Sequence, residues 1–247
     1  LPILQRLLAL TSGTSFEAEH GLRPGMTLED WQGSVPVREA VDFDPWTRRI
    51  AEGERRVLST EPVLAFELTG GSSGGRRAVP YTPSLLADFQ DLLLAWLGDL
   101  LASHPGIARG RAYFAVSPAL QRPVTHFGVV PVGLASDLAY FGPDIAAELG
   151  PLLIWHPALA VTDEAEWARR TALHLVAAED LSLVSQWSPT FLARLLDQVL
   201  QDVSLPRLLH DGAHGLPPRP DRAKALEQAR LTGSLTGLWP RLALVSA

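Results

Sequence analysis

Apolar positions along the chain change their period several times, and each change predicts an element. Leu4, Leu7, Leu8 and Thr11 recur at helical spacing, so residues 1–10 form an amphipathic helix whose stripe needs a partner surface. Glycine, proline and acidic residues dominate 12–45, which predicts loops and short helices, with Thr27 ahead of Asp30 marking one helix start. Residues 63–68 are a compact apolar run between Pro62 and a glycine cluster, the mark of a buried strand. The strongest helical signal is 82–103. There Leu85, Leu86, Phe89, Leu92, Leu93, Trp96, Leu97 and Leu100 follow a 3.6-residue period, with Thr82 or Ser84 as N-cap and Pro83 in the first turn.

The second half alternates the two periods. Residues 112–116 predict a strand, 145–149 a short helical piece, and 164–178 a helix with Trp167, Ala168, Thr171 and Leu175 turned inward. A short buried strand at 181–184 and a helix at 189–203 follow, the latter opened by Ser188 as N-cap and Pro189 as first residue. Three prolines and two glycines make 211–222 a loop, before a helix at 223–231 and a last strand at 242–246. No internal repeat is visible. Strands alternating with helices predict an α/β fold, a mixed sheet layered with helices, organised as one unit over residues 1–247.

Composition narrows the function classes. With 247 residues, 47% hydrophobic and 19% charged, the chain can bury an ordinary globular core. A formal net charge of -6 lacks the basic surplus that a phosphate backbone attracts, which argues against nucleic acid as a partner. Cysteine is absent, which removes disulfides, a thiolate nucleophile and sulfur-ligated zinc, and is compatible with a reducing cytoplasm. The most apolar stretches, 92–102 and 152–161, are interrupted by Asp99 and by His156 with Pro157, short of the ~20 residues a membrane span needs. The apolar opening holds Gln5 and Arg6 where a secretory signal wants an unbroken core, and the start at Leu1 suggests an incomplete chain. The expected compartment is the cytoplasm, and nothing in the sequence sets an oligomeric state.

The chemistry concentrates in Thr69-Gly70-Gly71-Ser72-Ser73-Gly74-Gly75-Arg76-Arg77, directly after the strand at 63–68. Glycines let successive backbone N–H groups turn toward an anion, hydroxyls add donors to phosphate oxygens, and a guanidinium offsets the charge. A flexible surface loop or hairpin turn is the alternative for the same letters. A P-loop is not: it needs Lys and then Ser or Thr where Arg76 and Arg77 stand. Gly70-x-Ser72-x-Gly74 and Gly71-x-Ser73-x-Gly75 also satisfy the nucleophile-elbow pattern of serine hydrolases. An elbow leads straight into a helix, however, and Pro80 postpones the helix, while His210 and His214 lie in a Pro/Gly-rich stretch. Those two histidines mimic a metal pair, but Gly212 and Gly215 break the helix that would join them, so no metal site is expected.

Several segments resemble the acyl-acid amido synthetases, the plant auxin-responsive family with a bacterial branch, which are similar to luciferase-like adenylate-forming enzymes. Thr14-Ser15-Phe16-Glu17-Ala18-Glu19-His20-Gly21 is similar to the family's opening T-x-F-G-x-x-H-G, and Val35-Pro36-Val37-Arg38-Glu39-Ala40 to its V-P segment. Residues 66–82 resemble its nucleotide motif, S-S-G-T-T-x-G-x-x-K-x-I-P-x-T, with Val79, Pro80 and Thr82 in register. Further likeness lies at 113–118 and 128–137. Trp187-Ser188-Pro189-Thr190-Phe191-Leu192 reproduces a W-S-P-T-F-L signature, and Leu238-Trp239-Pro240-Arg241-Leu242 is also family-like.

The resemblance implies ATP-dependent activation of a small carboxylic acid as its acyl-adenylate, then amide formation with an amino-acid acceptor, with Mg2+ as the accompanying ion. It implies that Thr69, Gly70, Gly71, Ser72, Ser73, Gly74, Gly75 and Arg76 hold ATP phosphates, with Arg77 replacing the usual Lys. Trp187, Ser188, Thr190 and Phe191 would line the acyl pocket, or else form a capped helix whose aromatics are core. The loop is one residue shorter than the common pattern, and Gly70 stands where Ser is frequent. The family's acidic magnesium-linked motif, its ribose-binding Asp motif and its small C-terminal domain follow the W-P segment and have no counterpart here. The resemblance thus covers the first half of the large domain of an adenylate-forming enzyme. A fragment, or a shortened homologue that is non-catalytic or an interaction module, both fit that extent. Helices bearing Phe89, Trp96, Trp187 and Phe191 would wall a cavity for a small apolar or aromatic acid.

Overall fold

The structure is a computed structural model that describes residues 2–68, 77–115, 125–134, 137–159, 161, 163–186 and 188–246. Its first elements are helices α1 (Pro2–Thr11), α2 (Ser15–His20), α3 (Leu28–Ser34) and α4 (Asp44–Ala51), strands β1 (Ala65–Leu68) and β2 (Ala78–Tyr81), and helix α5 (Pro83–Ser103). Strands β3 (Arg111–Ala115), β4 (Thr125–Phe127) and β5 (Val130–Val132) follow, then α6 (Pro143–Leu149), α7 (Glu164–Ala177) and β6 (Leu181–Gln186). Helices α8 (Pro189–Gln201), α9 (Leu205–Asp211) and α10 (Pro220–Thr232) lead to β7 (Leu244–Ser246). Two compact units divide the chain: Leu1–Asp91 with Val124–Ala135, and Leu92–Pro123 with Ser136–Ala247.

The first unit is built on a four-stranded mixed sheet of order β2-β1-β5-β4. Phe66 on β1 is fully buried among Trp46, Ile50, Val57 and Val130. Its short helices depend on caps. Thr14 Oγ accepts from the Glu17 N–H at 3.1 Å to open α2, and Thr27 and Asp30 form the reciprocal capping box that their spacing predicts for α3. The start of α5 is held twice, by Thr82 Oγ accepting from the Leu85 N–H at 3.3 Å and by the Glu61 carboxylate accepting from the Ser84 N–H at 3.0 Å. The β4–β5 turn needs glycine: Gly128 has φ 63, and a Cβ there would lie 1.9 Å from the Ala51 carbonyl oxygen.

The second unit holds a parallel sheet of order β3-β6-β7, so β6 is central and all six of its residues are buried. Its β6–β7 connection runs through α8, α9 and α10, the helical crossover that parallel pairing favours. Register slips by one residue between Arg111↔Leu181 and Ala112↔Leu183, leaving Ser182 as a bulge whose hydroxyl donates to the Ile107 carbonyl at 2.7 Å. The bulge lets Leu181 and Val184 both reach the core, which also takes Leu173, Val176, Leu195, Val199 and Leu226. The Pro/Gly-rich connection is shorter than its composition predicts. Asp211 still belongs to α9 and Pro220 already begins α10, because proline suits a first helical turn.

Candidate functional site

Strands β1 and β2 are antiparallel with Leu68 opposite Ala78, so residues 69–77 connect two paired strands. Thr69, Gly70, Gly71, Ser72, Ser73, Gly74, Gly75 and Arg76 lie outside the described residues. Arg77 is described: it is exposed and stands immediately before β2. Pro80 sits on β2 opposite Phe66, which an edge strand tolerates because no further strand needs its missing N–H. This architecture opposes the hydrolase reading. An elbow requires a strand that turns straight into a helix, whereas here a second strand intervenes and α5 begins only at Pro83.

The other predicted cluster lies where β6 passes into α8. Trp187 is outside the described residues. Ser188 is half-buried at the N-cap position with extended backbone, φ -145 and ψ 132, yet its hydroxyl makes no capping bond. Thr190 is exposed, and Phe191 is half-buried in the first turn. Phe89 packs edge-on against Tyr81 at 6.4 Å, whereas Trp96 lies 6.0 Å from Phe114, which in turn meets Phe141 at 5.2 Å.

A cavity of about 390 Å³ opens beside β6 and α8, lined by Leu175, Val184, Leu192, Leu195, Leu196 and Trp239 with Leu235, Thr236, Pro240, Leu242 and Val245. Parallel sheets present ligands at the carboxyl ends of their strands. At that end of β6 stands Gln186, 5% exposed, whose Oε1 is buried with no hydrogen-bond partner among the described residues. Thr171 Oγ1 on α7 is likewise unpartnered. Neither orphan is visible in a sequence without the fold, although Gln just after a stretch read as a buried strand is the available signal.

The end of α7 explains the W-P segment. Trp239 Nε1 donates to the Leu175 carbonyl at 2.8 Å, Arg222 Nε to that of Val176 at 2.9 Å, and Arg219 to that of Ala177 at 3.2 Å. Three carbonyls of the last turn are thereby satisfied by side chains, two of them cationic. Arg222 also donates to the Leu238 carbonyl and is buried. On the same helix, His174 stacks on His156 with ring centroids 5.3 Å apart and donates through Nε2 to the His214 carbonyl at 3.1 Å. Burial pushes the His174 imidazole below the ordinary histidine range. His210 pairs instead with Asp211 at 2.9 Å. Among the described residues no group of three His, Asp or Glu side chains is placed to hold a metal.

A family model described as the GH3 family N-terminal domain matches residues 2–247. The chain belongs to the GH3 family. Indole-3-acetic acid-amido synthetase GH3.8 of Oryza sativa subsp. indica is 30% identical over 114 residues, which are 45% of this chain and 19% of that protein. Indole-3-acetic acid-amido synthetase GH3.5 of Arabidopsis thaliana is 26% identical over the same shares. Among solved structures, AtGH3.15 acyl acid amido synthetase in complex with 2,4-DB superposes with a TM-score of 0.80 at 16% identity, over 99% of this chain and 46% of that one. This GH3 chain therefore spans about half the length of that structure and shares its α/β fold, a mixed arrangement of strands layered with helices. Among the described residues no helix is long and apolar enough to cross a membrane.

Proposed function

We propose that this GH3 chain contributes the phosphate loop and the acid site of an ATP-dependent acyl acid amido synthetase. The reading is supported by the β1–β2 register: a glycine- and serine-rich connection is bracketed by paired residues, Leu68 and Ala78, and leaves an exposed Arg77 at its exit. Strands paired up to their ends hold the termini of such a connection in place, so its backbone N–H groups and hydroxyls can converge on phosphate oxygens. The Arg77 guanidinium offsets charge there. Mg2+ accompanies ATP in this reading and would be held through phosphate oxygens and residues beyond those described.

The reaction has two steps. A carboxylate oxygen of the acid attacks the α-phosphorus of ATP and pyrophosphate leaves; the amine of an amino acid then attacks the acyl carbon, releasing AMP and a proton. The first step converts a poor leaving group into a good one. Its acid is small and apolar or aromatic, since the cavity beside α8 is lined almost wholly by aliphatic side chains and Trp239. The site of reaction is water-accessible from the cytoplasm in this reading.

The test is ATP–pyrophosphate exchange by the full-length protein across a panel of carboxylic acids. Exchange stimulated by apolar or aromatic acids is expected. Turnover of hydrophilic polyacids alone would overturn the substrate class, and no exchange with any acid would leave a non-catalytic homologue.

A further inference from the structure

Among the described residues that line the cavity beside α8, only Trp239 and Thr236 carry a side-chain N–H or O–H. Trp239 spends its N–H on the Leu175 carbonyl, so the Thr236 hydroxyl is the side-chain donor left for a ligand. Thr236 is exposed, whereas Leu175, Val184 and Leu195 in the same wall are buried. The cavity is thus apolar inside, with a hydroxyl at its mouth. The wall changes character at this residue. On its other side Thr236 borders a second hollow of about 360 Å³, together with the polar side chains of Gln228, Thr232 and Ser234. Ser234 Oγ accepts from the Thr236 N–H at 3.4 Å and lies 2.8 Å from Thr236 Oγ1. With Ser234 donating its own proton to Thr236 Oγ1, the Thr236 proton is left for an acceptor outside the turn.

We infer that Thr236 holds the carboxylate of the acid at the mouth of the cavity while the apolar body of the acid fills the interior. This rests on the reading of the cavity as the acid site. A carboxylate offers only acceptors, which the free hydroxyl proton matches with a charge-assisted bond. Its charge cannot enter the aliphatic interior without losing water, and beside an exposed residue it keeps that water. One carboxylate oxygen then rests on Thr236, and the other faces outward, free to attack ATP.

The experiment is calorimetric titration of the full-length protein with phenylacetic acid, beside ATP–pyrophosphate exchange with the same acid. Thr236→Val keeps the shape and removes the hydroxyl; it is expected to weaken binding roughly tenfold, the scale of one hydrogen bond to a charged group. In the exchange assay it should raise the KM for the acid and leave that for ATP unchanged. Thr236→Ser restores the donor and should bind within about threefold of wild type. Both should keep the wild-type melting temperature, because the position is exposed. Leu196→Trp fills the cavity and should abolish binding of the acid; Leu192→Trp does so from the same helix face if the first variant melts early. Wild-type affinity in Thr236→Val overturns this inference, as does a loss in Thr236→Ser equal to that in Thr236→Val; the acid reading stands in either case if the filled cavity no longer binds. Undiminished binding by the folded, filled variant overturns both, and so does a wild type that binds no phenylacetic acid.

Discussion

Trp239 and Arg77 both belong to segments that resemble the family, and their surroundings are opposite. Trp239 is buried and closes the end of α7 through a 2.8 Å bond, with Arg222 and Arg219 beside it on successive carbonyls. Arg77 is exposed at the exit of the connection between β1 and the edge strand β2. The first segment has a packing role here, because a helix end buried in a core must have its carbonyls satisfied. In the second, Arg77 is exposed, so burial gives its position no comparable account. Packing thus accounts for the first resemblance, and the proposed phosphate contact concerns the second.

Substitution should separate the two. Arg222→Met keeps the apolar stem but leaves the Val176 and Leu238 carbonyls without donors inside the core. Orphaning buried acceptors costs ~1–3 kcal/mol each, so a loss of roughly 2–4 kcal/mol is expected. Calorimetry should register a melting point lower by on the order of 10 °C. A shift under a degree would mean that the cap of α7 is dispensable and the W-P segment is not structural.

Arg77→Ala should do the reverse. A hydrogen bond to a charged group contributes ~1.5–3 kcal/mol, so ATP affinity of the full-length protein should fall by roughly one to two orders of magnitude. The melting point should stay nearly constant, since exposed substitutions usually cost within ~0.5 kcal/mol. Equal ATP affinity in wild type and variant would reduce the connection to a turn.

Much of the fold is legible in the letters, and the failures have physical causes. The α5, α7 and α8 patterns are found as helices because their periods are long. Strand β2 escapes because Pro80 reads as a breaker, and only its edge position makes it tolerable. Leu92, Leu93 and Leu94 succeed one another at ~100° steps around the helix, so no single face collects them, and Leu92 is left 64% exposed. At the candidate site, Arg77 and the glycines announce themselves by type. Gln186 does not, since an unpartnered oxygen is a property of packing and not of sequence.

The histidines of the second unit sharpen the contrast at its sealed end. His174 faces His156 across the stack, the His214 backbone and ring, and Arg111, whose charge further disfavours a proton. Its native pKa lies below the unfolded value, with burial the largest cause. The unfolded chain therefore binds a proton near pH ~6.5 that the native chain refuses, and stability falls as pH drops from there toward the native pKa. Denaturant midpoints taken between pH 8 and 5 should decline, and His174→Gln should flatten the decline. A slope unchanged in the variant would place the pH dependence elsewhere.

The smallest effect is expected at Ser188, and it bears on whether the W-S-P-T signature is a cap or a contact. Ser188 stands at the N-cap of α8, where a serine hydroxyl ordinarily accepts from the first turn, yet it makes no such bond. Thr14 provides the reference: it is buried, accepts from the Glu17 N–H at 3.1 Å and donates to the Thr11 carbonyl at 2.6 Å. Thr14→Ala should therefore cost ~1–2 kcal/mol, the usual range for a working cap. Ser188→Ala should cost less than ~0.5 kcal/mol, because only solvent contacts and a half-buried hydroxyl are lost. If both variants melted equally below wild type, Ser188 would be a cap after all, and its place in the signature would need no ligand. A near-neutral Ser188→Ala that nevertheless weakens binding of the acid would leave the hydroxyl as a contact to substrate, which the backbone at φ -145 and ψ 132 keeps out of the helix's own hydrogen bonding.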